Sequence, residues 1–483
     1  MNPRYAPWVA LLLFLVQAPV YADYVTDDSY IYARFADNLA RLGELSFNPG
    51  EPVHAATSPL WAGLGALGVV AGLESVEWLR WLGILCGAAT VFVLVRIASR
   101  LLAERPLVTW AVTAVVATEP WLVRWSSSGM ETPLAALLVA LALDATLRPV
   151  DAVAWRRAAL ALGVLPLVRP EGLLLLALFG VHVLRTPRAR TRGDVYLLAV
   201  LPFVAWAVYA LPVYGHVLPE TMRAKSTPLG LQPGRFASNL LVLGQVFAVG
   251  AAIPAVVWIV GLVRRPRRAW RPDTSFWAAP MWWQWTVALP VVYLLRDVQV
   301  VSRYLEVVLP AVIVLAVLVV SLDSRRRVWV HAFSLQALLA YGLTVSWIAP
   351  SASAFGATLE EGLGDIAEHL RTRTPPEATV AIYDIGLVGH RSERRVIDLG
   401  GLIHPEINAL RDRVDDSTIL HEGLFLDFER PDYLVDRAYE AAVLEGTEIG
   451  DVRMRALLSR QVANLGLSRG RPVIYTLYAV EDR

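Results

Sequence analysis

Charge is what this sequence has least of. Only 18% of its 483 residues are Asp, Glu, Lys or Arg, and 56% are apolar; about a quarter would be charged in a soluble domain. That balance excludes an ordinary soluble protein and points to a chain that crosses a membrane many times. The net charge of +1 supplies no basic field to attract nucleic acid. A single cysteine, Cys86, lies inside an apolar run, which excludes a disulfide framework and a cysteine metal cluster. Lysine is almost missing: of 44 basic residues only Lys225 is not arginine. P-loop and HExxH motifs are absent.

Long apolar runs are abundant instead. They fall near 6–22, 77–98, 106–124, 132–147, 195–214, 238–263, 275–296, 305–322 and 329–349; residues 158–185 add two shorter legs split by "RPEG". Arginines cluster in "RIASRLLAER", "RPVDAVAWRR", "RTPRARTRG", "RRPRRAWR" and "SRRR". All five clusters share one side, as the positive-inside rule requires, only if the glycine-rich run 59–73 does not cross. Ser58 and Pro59 open that run as cap and first residue of an interfacial or re-entrant helix. The expectation is a mostly α polytopic membrane protein with about eleven spans and the N-terminus inside. Residues 23–76, 124–131, 168–171, 215–237, 297–304 and the tail after 350 then face outward. "VYA" before Asp23 looks like a signal cleavage site, but the many later spans favour a retained anchor.

The tail changes character. "TPPEATVAIYDIGLVG" and "RPVIYTLYAV" are strand-like, and 356–372 and 434–465 have helical periodicity. We expect a membrane domain over 1–349, its first outer loop at 23–76, and an extracytoplasmic α/β domain over 350–483. "YDIGLVGH" reads as a tight strand-to-loop turn.

The first outer loop holds the most pointed chemistry, "VTDDSYIYARFADNLARLGELSFNPGEPVHAATSPLW". A helix is expected from Asp27 to Leu42, with Ile31, Phe35, Leu39 and Leu42 forming an apolar stripe. Asp27, Tyr30, Arg34, Asn38 and Arg41 share another face. One acid suffices to cap such a helix; Asp27 and Asp28 in tandem are one more than a cap needs. Further carboxylates lie on the same outer side, Glu131 in "SSSGMETP" and Glu171 in "LVRPEGLLL", where Arg169 is its local ion-pair partner. "YGHVLPETMRAKSTP" brings His216 and Lys225, and "DVQVVSRYLEVVLP" brings Arg303 and Tyr304. Cations at outer helix ends are ordinarily headgroup anchors, yet beside carboxylates they also suit a phosphate leaving group. The spans look nearly free of charge, Asp144 apart.

These stretches resemble bacterial GT-C glycosyltransferases, above all the mycobacterial terminal arabinofuranosyltransferase type and its pilin-modifying relatives. "TDDSYIYARFADNLARLGELSFNPGE" and "TSPLW" carry the likeness, with "SGMETPL", "VRPEGLLL", the "YG..LP.T..AK" loop, "SRYL...LP" and "VIDLGGL" in the same order along nearly the whole chain. His54 departs from the relatives' V-E-G stretch, and Pro219-Glu220 stands where they often have Pro-Asn. The resemblance implies a GT-C fold and transfer of a sugar, arabinofuranose by closest likeness, from a polyprenyl-phosphate donor. The acceptor would be a polysaccharide, glycolipid or pilin-like protein on the outer membrane face. It implies an inverting reaction with Asp27 or Asp28 as base, and Arg169, Lys225, Arg303, Tyr304 and, more weakly, Arg34 about the phosphate. Tyr30, His54, Glu131, Glu171 and His216 complete the candidate site. Some GT-C enzymes use a divalent cation and others do not, so Asp27 and Asp28 are also where one would be held. A hexose donor is the alternative; a lipid-linked sugar transporter or flippase would want ionisable residues mid-span, and a noncatalytic assembly subunit is a third class.

Overall fold

A computed structural model of the chain describes residues 2–147, 152–186, 189–220, 233–264, 279–295, 300–411, 413–463 and 471–482. Two compact units emerge. One comprises Met1–Ala22, Arg80–Tyr209 and Ser226–Pro350; the other comprises Asp23–Leu79, Ala210–Lys225 and Ser351–Arg483. The tail is set off at Pro350/Ser351, and the loop after the first apolar run groups with it.

The first unit consists of apolar helices. In the described chain, Ser75–Leu101, Gly193–Tyr214 and Arg326–Arg373, which run across the unit boundaries, are each long and apolar enough to cross a bilayer. Two bent pairs bring the number to five if each counts as one crossing: Pro106–Ala117 with Pro120–Ser126, at 43°, and Pro233–Gly250 with Ala252–Val263, at 112°. The run at 238–263 bends at Gly250, with Pro254 in the first turn beyond, as a broken span or a re-entrant loop does. Thr132–Thr146, Gly172–Arg185 and Leu309–Ser321 are shorter apolar helices, roughly 20 Å long against the ~30 Å of a hydrocarbon core.

Small residues let these helices approach closely. A Cβ on Gly83 would lie 2.5 Å from the Ser126 carbonyl oxygen, and one on Gly87 would overlap the Ser126 hydroxyl, so the Gly83–Gly87 pair admits the Pro120–Ser126 helix. Indole donors find partners inside the unit: Trp282 Nε1 donates to Thr146 Oγ1 at 3.0 Å and Trp285 Nε1 to the Val307 carbonyl at 3.2 Å. Asp144, the charged residue conspicuous in the sequence, is buried and paired with Arg96 at 2.8 Å and with Arg100.

In the second unit a six-stranded sheet runs in the order β2-β1-β3-β6-β5-β4. The strands are β1 (Thr379–Ile382), β2 (Arg395–Asp398), β3 (Tyr433–Ala438), β4 (Glu448–Ile449), β5 (Val452–Val462) and β6 (Val473–Asp482). β1 is parallel to β2 and β3, with Val380 opposite Val396 and Tyr433; the remaining pairings are antiparallel. Ala381, Ile397, Leu434, Phe425 and Tyr478 form its core.

Two expectations for the tail are corrected. Within 434–463 the chain forms strands and turns, not helix: "VRMR" at the start of β5 alternates buried and exposed, a period of two. "YDIGLVGH" is a strand-to-helix connection, since β1 leads into the helix Ile385–Ser392. The helix over 356–372 is present, but continuous with the preceding span through a wide turn at Thr344–Ile348. That turn precedes Pro350, whose missing N–H would otherwise interrupt the regular ladder.

Candidate active site

The helix Asp27–Leu42 begins as expected, but neither acid caps it. Thr26 is its N-cap, and Gly43 ends it in the left-handed conformation. Part of the face expected to be polar is buried along with the apolar stripe: Tyr30, Arg34 and Asn38 are covered, as is Phe35, while Arg41 and Leu42 are exposed. What covers that face is the tail of the same unit.

Asp27 accepts hydrogen bonds from the backbone N–H groups of Gly386 (2.9 Å, to Oδ2) and Leu387 (2.8 Å, to Oδ1). These are the second and third residues of the helix Ile385–Ser392, whose own N-cap residue, Asp384, makes no side-chain cap bond. Asp384 instead accepts from Arg437 Nη1 at 2.7 Å and from the Tyr475 hydroxyl at 2.6 Å. Asp27 thus caps a helix remote in sequence. Burial, then the charge of Asp384 and, less strongly, that of Asp28 push its carboxyl up to about 7, outweighing the two N–H bonds.

Neighbouring motif residues hold the same contact. Arg34 is buried and donates to the carbonyls of Phe47 (3.0 Å), Gly389 (2.6 Å) and Arg394 (3.3 Å). Its guanidinium therefore faces backbone oxygens inside the unit. Asn38 donates to the carbonyls of Ser46 and Phe47, both at 2.9 Å. Asn48 pairs with both backbone groups of Val396, completing the free edge of β2. The Tyr30 hydroxyl donates to Glu360 at 3.1 Å, and Arg391 lies 5.5 Å over its ring. In "VIDLGGL" the buried Asp398 accepts from the N–H groups of Gly400 (2.7 Å), Ile403 (3.0 Å) and Leu402, shaping the loop after β2.

His54 is also in this unit. Its buried ring stacks on Tyr214 (centroids 5.2 Å apart) and His216 (5.7 Å). His216 Nε2 lies 3.1 Å from Glu220 Oε1, and the Glu220 N–H donates to the His54 carbonyl at 2.8 Å. Burial and the neighbouring imidazole depress the His54 ring to about 4 and keep it neutral. Lys225 lies outside the described residues.

The first unit gathers the remaining candidates. Arg169, buried, pairs with Glu131 Oε1 (2.8 Å) and Glu171 Oε1 (2.7 Å), and the Tyr293 hydroxyl donates to the same oxygen of Glu171. Tyr304 stacks on Tyr293 and lies under both Arg169 (5.1 Å) and Arg303 (5.5 Å). Arg303 also rests on Trp125 at 5.8 Å and approaches Met130 Sδ at 3.9 Å. The ion pair expected within "RPEG" exists and extends to Glu131 and two tyrosines.

Two acids escaped the sequence reading, although both fall inside runs taken as spans. Glu119 caps the helix Pro120–Ser126, accepting from the Leu122 N–H at 2.6 Å. Its other oxygen is buried without a hydrogen-bond partner among the described residues, against Gly250, where a Cβ would overlap it. Glu306 is fully buried and shares with Glu119 and Thr90 the lining of a small cavity. A Glu directly before a proline, where an apolar run breaks, is the signal that marks Glu119. Among the described residues, no three His, Cys, Asp or Glu side chains converge as a metal site.

With this geometry in hand, the chain can be set beside known proteins. Two crystal structures of ArnT from Cupriavidus metallidurans are similar over nearly their whole length, one bound to undecaprenyl phosphate and one in the apo state. Each is 16% identical with a TM-score of 0.58, covering 97% of this chain and 96% and 97% of theirs, respectively. The chain has a GT-C fold. It is mostly helical with a C-terminal sheet domain, as the sequence led us to expect. Residues 354–475 match a family described as a domain of unknown function, DUF8728. No curated protein sequence is significantly similar.

Proposed function

We propose that this protein is a membrane glycosyltransferase that moves a sugar from a polyprenyl-phosphate donor to an acceptor hydroxyl on the outer face. The observation that carries this is the end-to-end likeness to ArnT, one structure of which is bound to undecaprenyl phosphate. Support comes from the first unit, where arginines, carboxylates and aromatic rings meet at helix ends. Arg303, resting on ring faces, is the better phosphate ligand of the two arginines there. Both terminal nitrogens of Arg169 already bond carboxylates, so it would act mainly by orienting Glu131, Glu171 and Tyr304. Lys225 is proposed as a further cation for the leaving group.

In the reaction an acid of the pair Asp27–Asp28 takes the proton of the acceptor hydroxyl. The freed oxygen bonds to the anomeric carbon as the bond from that carbon to the phosphate oxygen breaks. Polyprenyl phosphate departs with the bonding electrons, and the anomeric configuration inverts. A carboxylate beside the sugar also favours the oxocarbenium-like transition state. The donor sugar we propose is arabinofuranose, with a hexose as the alternative, and the acceptor is a cell-envelope glycan or glycoprotein. A donor screen with purified protein and several polyprenyl-phosphate sugars tests this directly: release of polyprenyl phosphate from none of them, with the acceptor fraction of the envelope present, refutes it.

A further inference from the structure

Glu119 and Glu306 take no part in the reaction proposed above, yet both are buried in the first unit, at 2% and 1% exposure. They line one cavity with room for about one water molecule. Its other walls are apolar apart from Thr90, with Leu94, Val116 and Leu309 among them. Among the described residues, Oε1 of each glutamate is buried without a hydrogen-bond partner. The second oxygen of Glu119 is fixed on the Leu122 N–H. The Thr90 hydroxyl donates to the Cys86 carbonyl at 2.8 Å, so its own lone pairs remain available to accept.

Charge does not balance around this cavity. Glu306 is close enough to Glu119, Arg124 and Arg169 to feel their charges. Arg169 already serves Glu131 and Glu171, and Arg124 lies over the rings of Trp121 and Trp125. Even with Arg303 counted, the described residues set Glu119, Glu131, Glu171 and Glu306 against Arg124, Arg169 and Arg303, one positive charge short. Two ionised carboxylates facing one apolar cavity repel each other with no water to screen them. A divalent ion would overshoot the count, and carboxylate and hydroxyl oxygens suit a small hard cation.

The cavity also falls where membrane helices are suited to hold such ions, at a break in a span. Glu119 stands between Pro106–Ala117 and Pro120–Ser126. Its unpartnered oxygen abuts Gly250, the bend of the second broken pair, and Trp121 Nε1 donates to the Val246 carbonyl at 3.1 Å across the same junction. We infer that Glu119 and Glu306, with the Thr90 hydroxyl, form a site for one small monovalent cation, a sodium ion or a proton, that ties the two broken helix pairs together. The recognising chemistry is the same for both occupants: one positive charge accepted by carboxylate oxygens. The site is separate from the sugar chemistry and stands or falls without it.

The experiment compares full-length Glu119→Gln and Glu306→Gln with the unaltered protein in lipid nanodiscs; Glu104→Gln, which alters an exposed acid, is the control. Thermal unfolding is followed as sodium chloride replaces N-methylglucamine chloride at constant ionic strength. The infrared carbonyl band of un-ionised carboxylic acid is recorded in H2O and D2O. With sodium in the site, each tenfold rise in its concentration above Kd should raise the folding equilibrium constant about tenfold. That response should vanish in Glu119→Gln and in Glu306→Gln and persist in Glu104→Gln. With a proton in the site, sodium has no effect, and the unaltered protein shows a deuterium-shifted band that each of the two glutamine variants loses and Glu104→Gln keeps. Loss in both is the mark of sharing, because an isolated un-ionised Glu306 would keep its band when Glu119 is neutralised. Either result establishes the site and names its occupant. A sodium response or a band that survives in either variant overturns the proposal, as does an unaltered protein that shows neither. Where a glutamine variant does not accumulate, Thr90→Val removes one neutral oxygen and should weaken the sodium response several-fold or shift the band; no change in either again overturns it.

Discussion

Asp27 and Gly386 are 359 positions apart in sequence, yet the carboxylate of one accepts the backbone N–H of the other at 2.9 Å. The contact is too close for any side chain at 386. Gly386→Ala should therefore undock the first turn of Ile385–Ser392 and lower sugar transfer by about tenfold or more. Gly389→Ala is the control, because its Cβ would press on Phe47 and not on Asp27. If both variants lose transfer equally, general disturbance of the helix explains the effect; we expect Gly386→Ala to fall well below Gly389→Ala.

Arg34 offers a clean separation of structure from substrate binding. Its three carbonyl contacts need a planar fork that an ammonium cannot reproduce. Arg34→Lys should cost about 2–4 kcal/mol of stability, measured by thermal unfolding, and leave the KM for the lipid-phosphate donor unchanged. A raised donor KM at unchanged stability would restore the phosphate role.

Arg169 is the shared partner of two buried acids. Arg169→Ala leaves Glu131 and Glu171 without their cation and should destabilise by about 3–5 kcal/mol. Glu131→Gln keeps the Arg169–Glu171 pair and should cost less than half as much. Chemical denaturation in mild detergent ranks the two variants.

His54 predicts a pH effect of definite sign. Its folded value of about 4 lies below the unfolded 6.5, so the unfolded chain binds the proton first. Stability should fall as pH drops from 6.5 to 4, by up to about 3 kcal/mol. His54→Phe preserves the stack on Tyr214 and should remove that part of the pH dependence of thermal unfolding; an unchanged slope would locate the titration elsewhere.

Much of the architecture was legible from the sequence because the bilayer limits what an apolar run can be. The mostly helical membrane architecture, the short helix opened by Ser58 and Pro59, and the "RPEG" ion pair all follow from local patterns, while the GT-C fold was implied by the resemblance of the motifs. What escaped depends on partners distant in sequence. Nothing in "TDDSYIYARF" says that Arg34 bonds a carbonyl 355 positions away. The 238–263 run has unbroken hydropathy, and only its Gly250 and Pro254 record the 112° break. Residues 434–465 were misread because short strands with apolar residues three or four apart imitate a helical stripe. Glu119 and Glu306 escaped because a single acid barely changes the average of a long apolar window.

The side chain of Asn48 on β2, with Arg34 and Asp27 on the helix beyond β1, also sets a timetable for biosynthesis. At ~5–20 residues per second, the ribosome needs roughly 20–70 seconds to travel from Arg34 to Gly389. Throughout that interval the first loop has been made and its partner has not. The loop's buried arginine and tyrosines must wait in water, exposed to proteases and chaperones, until the last quarter of the chain arrives. The tail from 351 onward is correspondingly a poor candidate for expression alone: it would leave one helix without its cap and one sheet edge open for another chain to join.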